Sequence, residues 1–260
     1  MKEQVSEYSR EPLVSVIMPA YNSAAYIHRA ITSVQNQTMP DWELLVIDDA
    51  STDETAWLVH ILAKEDPRIK LHTNVVNKGT ADSRNLGMEL SRGSFIAFLD
   101  SDDIWHPQKL EQQIAFALQK HADLVCCAYD YINVNGKRSP GFSQIPKQIT
   151  LEQMLQNNVI GCSTVLITRE IAAQFRFSSQ YHFEDYVFWL SMLQSGKQLY
   201  GITDVLVDYQ IRKNSRSNSK LLCAIHRWRV YRQFLGFSQI KSFYYLIRYT
   251  AAGIRKHLSV

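Results

Sequence analysis

The chain has 260 residues, 46% of them apolar and 11% aromatic, which suits one large domain or two small ones and excludes disordered and fibrous classes. Its net charge of +3 conceals two electrostatic halves: residues 1–208 hold 17 basic and 25 acidic side chains, while the 52 residues after Asp208 hold 11 Lys or Arg and no Asp or Glu. A basic tail points towards phosphates, and the acidic body before it argues against nucleic acid as the partner.

The amino end, residues 1–12, is polar and carries Lys2, Glu3, Glu7, Arg10 and Glu11, so no secretory signal is expected. Apolar runs rich in Val, Ile and Leu then alternate with amphipathic segments. Strands are predicted at 13–18, 43–48, 69–73 and 94–99, with helices between them near 24–37, 53–64 and 80–91. Near-continuous apolar strands separated by helices belong to a parallel sheet covered on both faces, joined by right-handed crossovers. From about residue 122 the pattern loosens and the sheet is expected to turn mixed. A strand at 123–131 leads to an Asn-Gly type turn at 133–138 and a linking loop at 142–149. Thr150 opens a short helix with a capping-box pattern to Gln153, 162–168 reads as a strand, and 183–195 as a helix ending at Gly196. A last strand pair spans 198–210. The cysteines, Cys126, Cys127, Cys162 and Cys223, form no Cys-x-x-Cys pair, and buried thiols in a reducing cytoplasm are the expectation.

Ligands of an open parallel sheet sit outside the carboxyl ends of its strands. Those ends carry Pro19-Ala20-Tyr21-Asn22, Asp48-Asp49-Ala50-Ser51-Thr52-Asp53, Asn77-Lys78-Gly79 and Asp100-Ser101-Asp102-Asp103. Each has an ordinary local use, as turn residue, helix cap or loop glycine, and the last cluster would also cap a helix starting near Pro107. Together they place polar groups on one rim. Three carboxylates within four residues suit a hard divalent cation, Mn2+ or Mg2+, which takes oxygen ligands and is often shared with substrate phosphates. Neither Gly-x-x-x-x-Gly-Lys-Ser/Thr nor Gly-x-Gly-x-x-Gly occurs, so phosphate charge must be met without those backbone cradles.

Taken in order, residues 16–22, the run 48–53, Lys78-Gly79 followed by Asn85, and Leu99-Asp100-Ser101-Asp102-Asp103 resemble family 2 glycosyltransferases of the GT-A fold, over about residues 12–215. The resemblance implies an α/β, Rossmann-like, mostly parallel mixed sheet flanked by helices. Its nucleotide-binding half would span about 12–120, its acceptor half about 121–215, and a basic helical extension 216–260. By the same resemblance Pro19, Ala20, Tyr21 and Asn22 line the nucleoside pocket and Asp49 hydrogen-bonds the base. Asp100 and Ser101 then lie near the ribose, Lys78 and Arg84 near nucleotide and sugar, and Asp102 is the metal ligand. An inverting transfer needs a general base for the acceptor hydroxyl. The family places it in a Glu-Asp pair at a helix start, here Glu184-Asp185, with Asp185 as the base and Glu184 beside it. The basic, hydroxyl-rich run 209–219 is expected to close over the diphosphate, with Arg212 singled out.

The activity implied is transfer of a sugar from a nucleotide-diphosphate donor, UDP-linked in most relatives, to a saccharide or lipid-linked saccharide acceptor in cell-surface polysaccharide synthesis. The alternatives are a sugar-1-phosphate nucleotidyltransferase, for which the Gly- and Arg-rich loop after the first strand is missing, and a non-catalytic nucleotide-binding module. In the tail, aromatic residues from Trp228 to Tyr249 alternate with cations, a pattern that suits a peripheral contact with the inner face of the cytoplasmic membrane. A hairpin packed on the enzyme, or a homodimer interface, would use the same pattern. No run of ~20 apolar residues is present to span a bilayer.

Overall fold

The computed structural model describes residues 11–133, 136–142, 145–211 and 220–258. The elements run β1 (Val14–Ala20), α1 (Ile27–Gln35), β2 (Trp42–Asp48), α2 (Thr55–Glu65), β3 (Ile69–Thr73), α3 (Thr80–Leu90), β4 (Phe95–Phe98), β5 (Ile104–Trp105) and α4 (Lys109–Lys120). There follow β6 (Leu124–Ile132), β7 (Arg138–Phe142), β8 (Gln148–Ile149), α5 (Leu151–Gln156), β9 (Leu166–Thr168), α6 (Arg169–Gln174), α7 (Glu184–Gln194), β10 (Leu199–Gln210), α8 (Lys220–Arg229) and α9 (Gln239–Leu258). A 3-10 turn at Cys162–Thr164 precedes β9, and a π-helical turn at Val230–Phe234 continues α8.

One sheet carries the strands in the order β3-β2-β1-β4-β9-β6-β10-β5, with β7 on β6 and β8 on β10. The first four are mutually parallel. β9 is antiparallel to both β4 and β6, and marks where the parallel half gives way to a mixed half. Every residue of β1, β2 and β4 is buried, which is why their sequences read as unbroken apolar runs instead of alternating ones. Period-2 alternation still assigns the faces: Val16, Met18, Leu44 and Val46 pack against Ile27, Ile31 and Val59 on one side, while Ile17, Ile96 and Phe98 pack with Met88 and Phe188 on the other.

Two expectations are corrected. The predicted pair at 198–210 is one long strand, Leu199–Gln210, because register shifts between Ile202 and Val205 and again before Val207 let it bend along β6 while pairing with β8 at one end and β5 at the other. The predicted strand at 162–168 begins as a 3-10 turn, so that only its last three residues pair. The capping box is present, with Thr150 and Gln153 each accepting from the other's backbone N–H. All four cysteines are buried and none forms a disulfide.

The tail packs on α5 and α7. Tyr231 Oη donates to the Leu155 carbonyl at 2.5 Å, Tyr245 Oη to Glu152 at 2.6 Å, and the buried Arg227 guanidinium lies 3.7 Å over Tyr186 and 4.4 Å over Tyr249. Among the described residues no helix is long and apolar enough to cross a membrane.

Helix α3, which presents several rim residues, sits on β1 through Gly87, where a Cβ would lie 2.4 Å from Ile17 Cγ2. Gly87→Ala is expected to lower the unfolding free energy by about 1–3 kcal/mol, as overpacking in a close-packed interior does; urea denaturation measures it, and an unchanged midpoint would show that α3 gives way freely.

Candidate active site

The carboxyl ends of β1, β2 and β4 open onto a cleft of about 390 Å3. Of the residues singled out in the sequence, Pro19, Ala20, Tyr21, Asp49, Asp100, Ser101 and Asp102 line it, together with Ser23, Thr80, Ser83, Asp103, Tyr209 and Gln210. Asn22, Lys78, Arg84, Glu184 and Asp185 do not line the cleft, and each has a different task. Arg212 lies outside the described residues.

The β1–α1 and β2–α2 loops are laced together by short polar side chains. Asn22 N donates to Ser51 Oγ at 2.9 Å, and Asn22 Oδ1 accepts from Thr52 N at 2.8 Å. Asp53 accepts from Ala24 N and from Thr55. Asn22 and Ala50 both take positive φ, 48° and 61°, the cost of turning two loops sharply at one rim. Asp48 points elsewhere: its carboxylate is 1% exposed, lines no part of the cleft and has no hydrogen-bond partner among the described residues.

Asp49 organises the next wall. Oδ1 accepts from Asn74 Nδ2 at 2.8 Å and Lys78 N at 2.9 Å, and Oδ2 from Gly79 N at 2.7 Å. Gly79 holds φ 90° at the start of α3, a conformation open to glycine, so the loop after β3 and the helix behind it are both fixed to this carboxylate. Lys78 contributes its backbone N–H there, while its side chain is exposed.

Three neighbouring aspartates have three environments. Asp103 is buried: Oδ2 accepts from Ser163 Oγ at 2.5 Å and Oδ1 from the backbone N–H of Gln210 at 3.0 Å. Burial, and then the charges of Asp102 and Asp100, push its carboxyl up from the usual range. It therefore anchors the end of β10 to the carboxylate loop and caps no helix. Asp100 is half-exposed and accepts from Arg84 Nη2 at 2.7 Å, while its N–H donates to Ser163 Oγ. Asp102 is half-buried on the cleft wall. The sequence gives no sign of Ser163, a lone serine on a 3-10 turn, which bonds both ends of this cluster. Tyr209 and Gln210, expected both as a strand end and as the start of the run 209–219, belong to β10 and line the cleft.

Arg84, 3% exposed, spans the two halves of the site: Nη2 reaches Asp100 and Nη1 reaches Glu184 Oε1 at 3.1 Å, with the guanidinium 5.4 Å over the Phe177 ring. Glu184 and Asp185 form the first turn of α7, where acidic residues are favoured by the helix dipole. Asp185 Oδ1 accepts from Tyr186 N at 2.7 Å. Burial, followed by the adjacent Glu184 charge and opposed by Arg84, raises the Asp185 carboxyl to about 6. A carboxylate so poised is suited to take up a proton near neutral pH.

A divalent cation fits this rim. Asp100 and Asp102 offer oxygen donors on the cleft wall, whereas both oxygens of Asp103 are already engaged. Among the described residues no group of three or more His, Cys, Asp or Glu is placed to hold a metal ion.

The model of "Glycosyl transferase family 2" matches residues 15–183. The Escherichia coli protein named UDP-Glc:alpha-D-GlcNAc-diphosphoundecaprenol beta-1,3-glucosyltransferase WfgD is 39% identical over 246 residues, which cover 94% of this chain and 95% of that protein. Among solved structures, residues 1–349 of S. aureus TarS in complex with UDP-GlcNAc superpose with a TM-score of 0.72 at 22% identity, over 91% of this chain and 71% of that one. The mannosyltransferase PcManGT of Pyrobaculum calidifontis, in complex with GDP-Man and Mn2+, gives 0.71 at 17% identity, over 97% and 77%.

Replacing Arg84 with Met strands two carboxylates, one of them buried, and is expected to cost about 3–5 kcal/mol of stability. Denaturant unfolding reads the loss directly; a cost under about 1 kcal/mol would mean that the bridge between the two halves is dispensable.

Proposed function

The chain belongs to glycosyl transferase family 2 and is a glycosyltransferase of the GT-A fold acting in polysaccharide synthesis, and from this premise we propose that it moves a sugar from a UDP-sugar, with inversion and with the help of Mn2+ or Mg2+, to a lipid-linked saccharide. The observation that carries the reading is the Arg84 bridge, which sets the Asp100 cluster and the Glu184-Asp185 turn one guanidinium apart. The names of relatives support the donor and acceptor: WfgD is named for UDP-Glc and a diphosphoundecaprenol-linked acceptor, and TarS was solved with UDP-GlcNAc. The PcManGT complex with Mn2+ supports a divalent cation.

In this reading residues 12–120 hold the nucleotide and residues 121–215 the acceptor. Pro19, Ala20 and Tyr21 bound the nucleoside, Asn22 holds their loop to the one after β2, and Asp49 keeps the facing loop in place beside the base. Ser101 with Asp100 meets the ribose. Asp102, aided by Asp100, would hold the cation, which supplies neutralisation of the charge that builds on the leaving diphosphate. Asp185 takes the proton of the acceptor hydroxyl as that oxygen attacks the anomeric carbon from the face opposite the diphosphate. The glycosidic bond forms as the bond to phosphate oxygen breaks, and UDP departs with the electron pair. Glu184, paired to Arg84, keeps the first turn of α7 against the rim. Arg212 and its basic neighbours add charge for the diphosphate. Such an acceptor places the enzyme at the cytoplasmic membrane face.

Two measurements test this. UDP with Mn2+ at 100 times its dissociation constant adds about 2.7 kcal/mol to a folded state that binds it, so the melting temperature is expected to rise with both ligands and to stay put in Asp102→Ala; an equal rise in that variant would remove Asp102 from the site. Asp185 must be ionised to accept a proton, so kcat/KM is expected to fall as pH drops through about 6, and Asp185→Asn should bind UDP while losing transfer by about 100-fold or more. A flat profile between about pH 5 and pH 7, on the order of one unit either side of that value, would assign the base elsewhere.

A further inference from the structure

The two C-terminal helices carry an apolar face that the core does not use. On α9, Ser242 and Tyr245 are buried and face inward, where the helix packs on α5 and α8. Ile240, Phe243, Tyr244 and Ile247 follow the i, i+3, i+4, i+7 spacing of a single stripe on the opposite side, and all four are exposed, Ile240 to 85%. The neighbouring α8 repeats the arrangement, with Cys223 and Arg227 buried and Leu221 and Ile225 exposed. Since the inward faces already carry the packing, these outward residues need another reason to be apolar.

Charge selects what covers them. Neither helix contains an acidic residue, and the chain after Asp208 carries 11 cations. Lys241 and Arg248 flank the α9 stripe, one with Nζ 3.9 Å over the Phe237 ring and the other donating to Tyr244 Oη at 3.1 Å. A second copy of the chain would bring like charge against like charge, with no carboxylate in either helix to pair with it. An anionic lipid surface matches both properties, phosphates meeting the flanking cations while the apolar stripe enters the headgroup boundary.

We infer that α8 and α9 lie flat on an anionic phospholipid bilayer, inserting Leu221, Ile225, Ile240, Phe243, Tyr244 and Ile247. The inference deepens the proposed function and rests on it for one point, the lipid-linked nature of the acceptor. The packing explains the benefit: His226 of α8 stacks on His182 at 4.3 Å, just before α7, and Arg227 covers Tyr186. The helix that docks the enzyme thus also braces, by its buried face, the turn bearing Asp185.

The full chain is floated with vesicles of phosphatidylcholine alone and of phosphatidylcholine mixed with phosphatidylglycerol. The expected result is flotation with the anionic vesicles, reversed by salt, and little with the neutral ones. Ile240→Ser, Phe243→Ser and Ile247→Ser combined should weaken that binding by about tenfold or more with an unchanged melting temperature. Wild type that ignores anionic vesicles, or a triple variant that binds them as wild type does, overturns the inference, as does a wild-type dimer that the three substitutions split. Transfer to a water-soluble saccharide acceptor, assayed without vesicles, keeps the two proposals apart: its absence in wild type would count against the proposed function, while flotation still decides the docking face.

Discussion

The site depends on one buried guanidinium. Arg84 stands on α3, 16 residues from Asp100 and 100 from Glu184 in sequence, and bonds both. A charge taken so far out of water is tolerated only where opposite charges meet it with good geometry, and removing either partner leaves the other exposed to the full desolvation cost. The bridge is therefore a constraint more than a source of stability: it holds the first turn of α7 at a fixed distance from the carboxyl end of β4. The rest of the rim is arranged around it, with Asp49 pinning the loop that leads into α3 and Asp103 pinning the end of β10.

Identical side chains acquire different chemistry here through their surroundings. Asp103 is locked between a serine and a backbone N–H, Asp100 is paired to arginine, and Asp102 sits on the cleft wall. Asp185, 82 positions on from Asp103 in the numbering, is raised to about 6 by burial and by its neighbour Glu184. On the proposed reading, the acid that takes up a proton is thus set apart from those on the cleft wall by environment on a common scaffold, the general way in which carboxylates divide labour in an active site.

The parallel half of the fold was legible because its strands are buried on both faces and so announce themselves as apolar runs; β3 occupies the predicted residues 69–73. The capping box at Thr150 was legible because it is a local contact. What stayed hidden depends on contacts between distant segments. Nothing in the chain around Ser163 says that its hydroxyl joins Asp103 to the backbone of Asp100, and the expectation for Arg84, a place near nucleotide and sugar, did not include its bridge from Asp100 to Glu184. The bulges in β10 disguise one strand as two, since an inserted residue shifts the period-2 pattern. The strand-end positions located the cleft, whereas the separate duties of its aspartates needed their hydrogen-bond partners.

The central claim, that Asp185 and the carboxylate rim carry out a single inverting displacement, is tested most directly by the stereochemistry of the product. Proton NMR of the saccharide formed from an α-linked UDP-sugar should show a β-anomeric linkage. An α-linked product would contradict the account, because retention requires either a second displacement or attack from the face of the departing diphosphate.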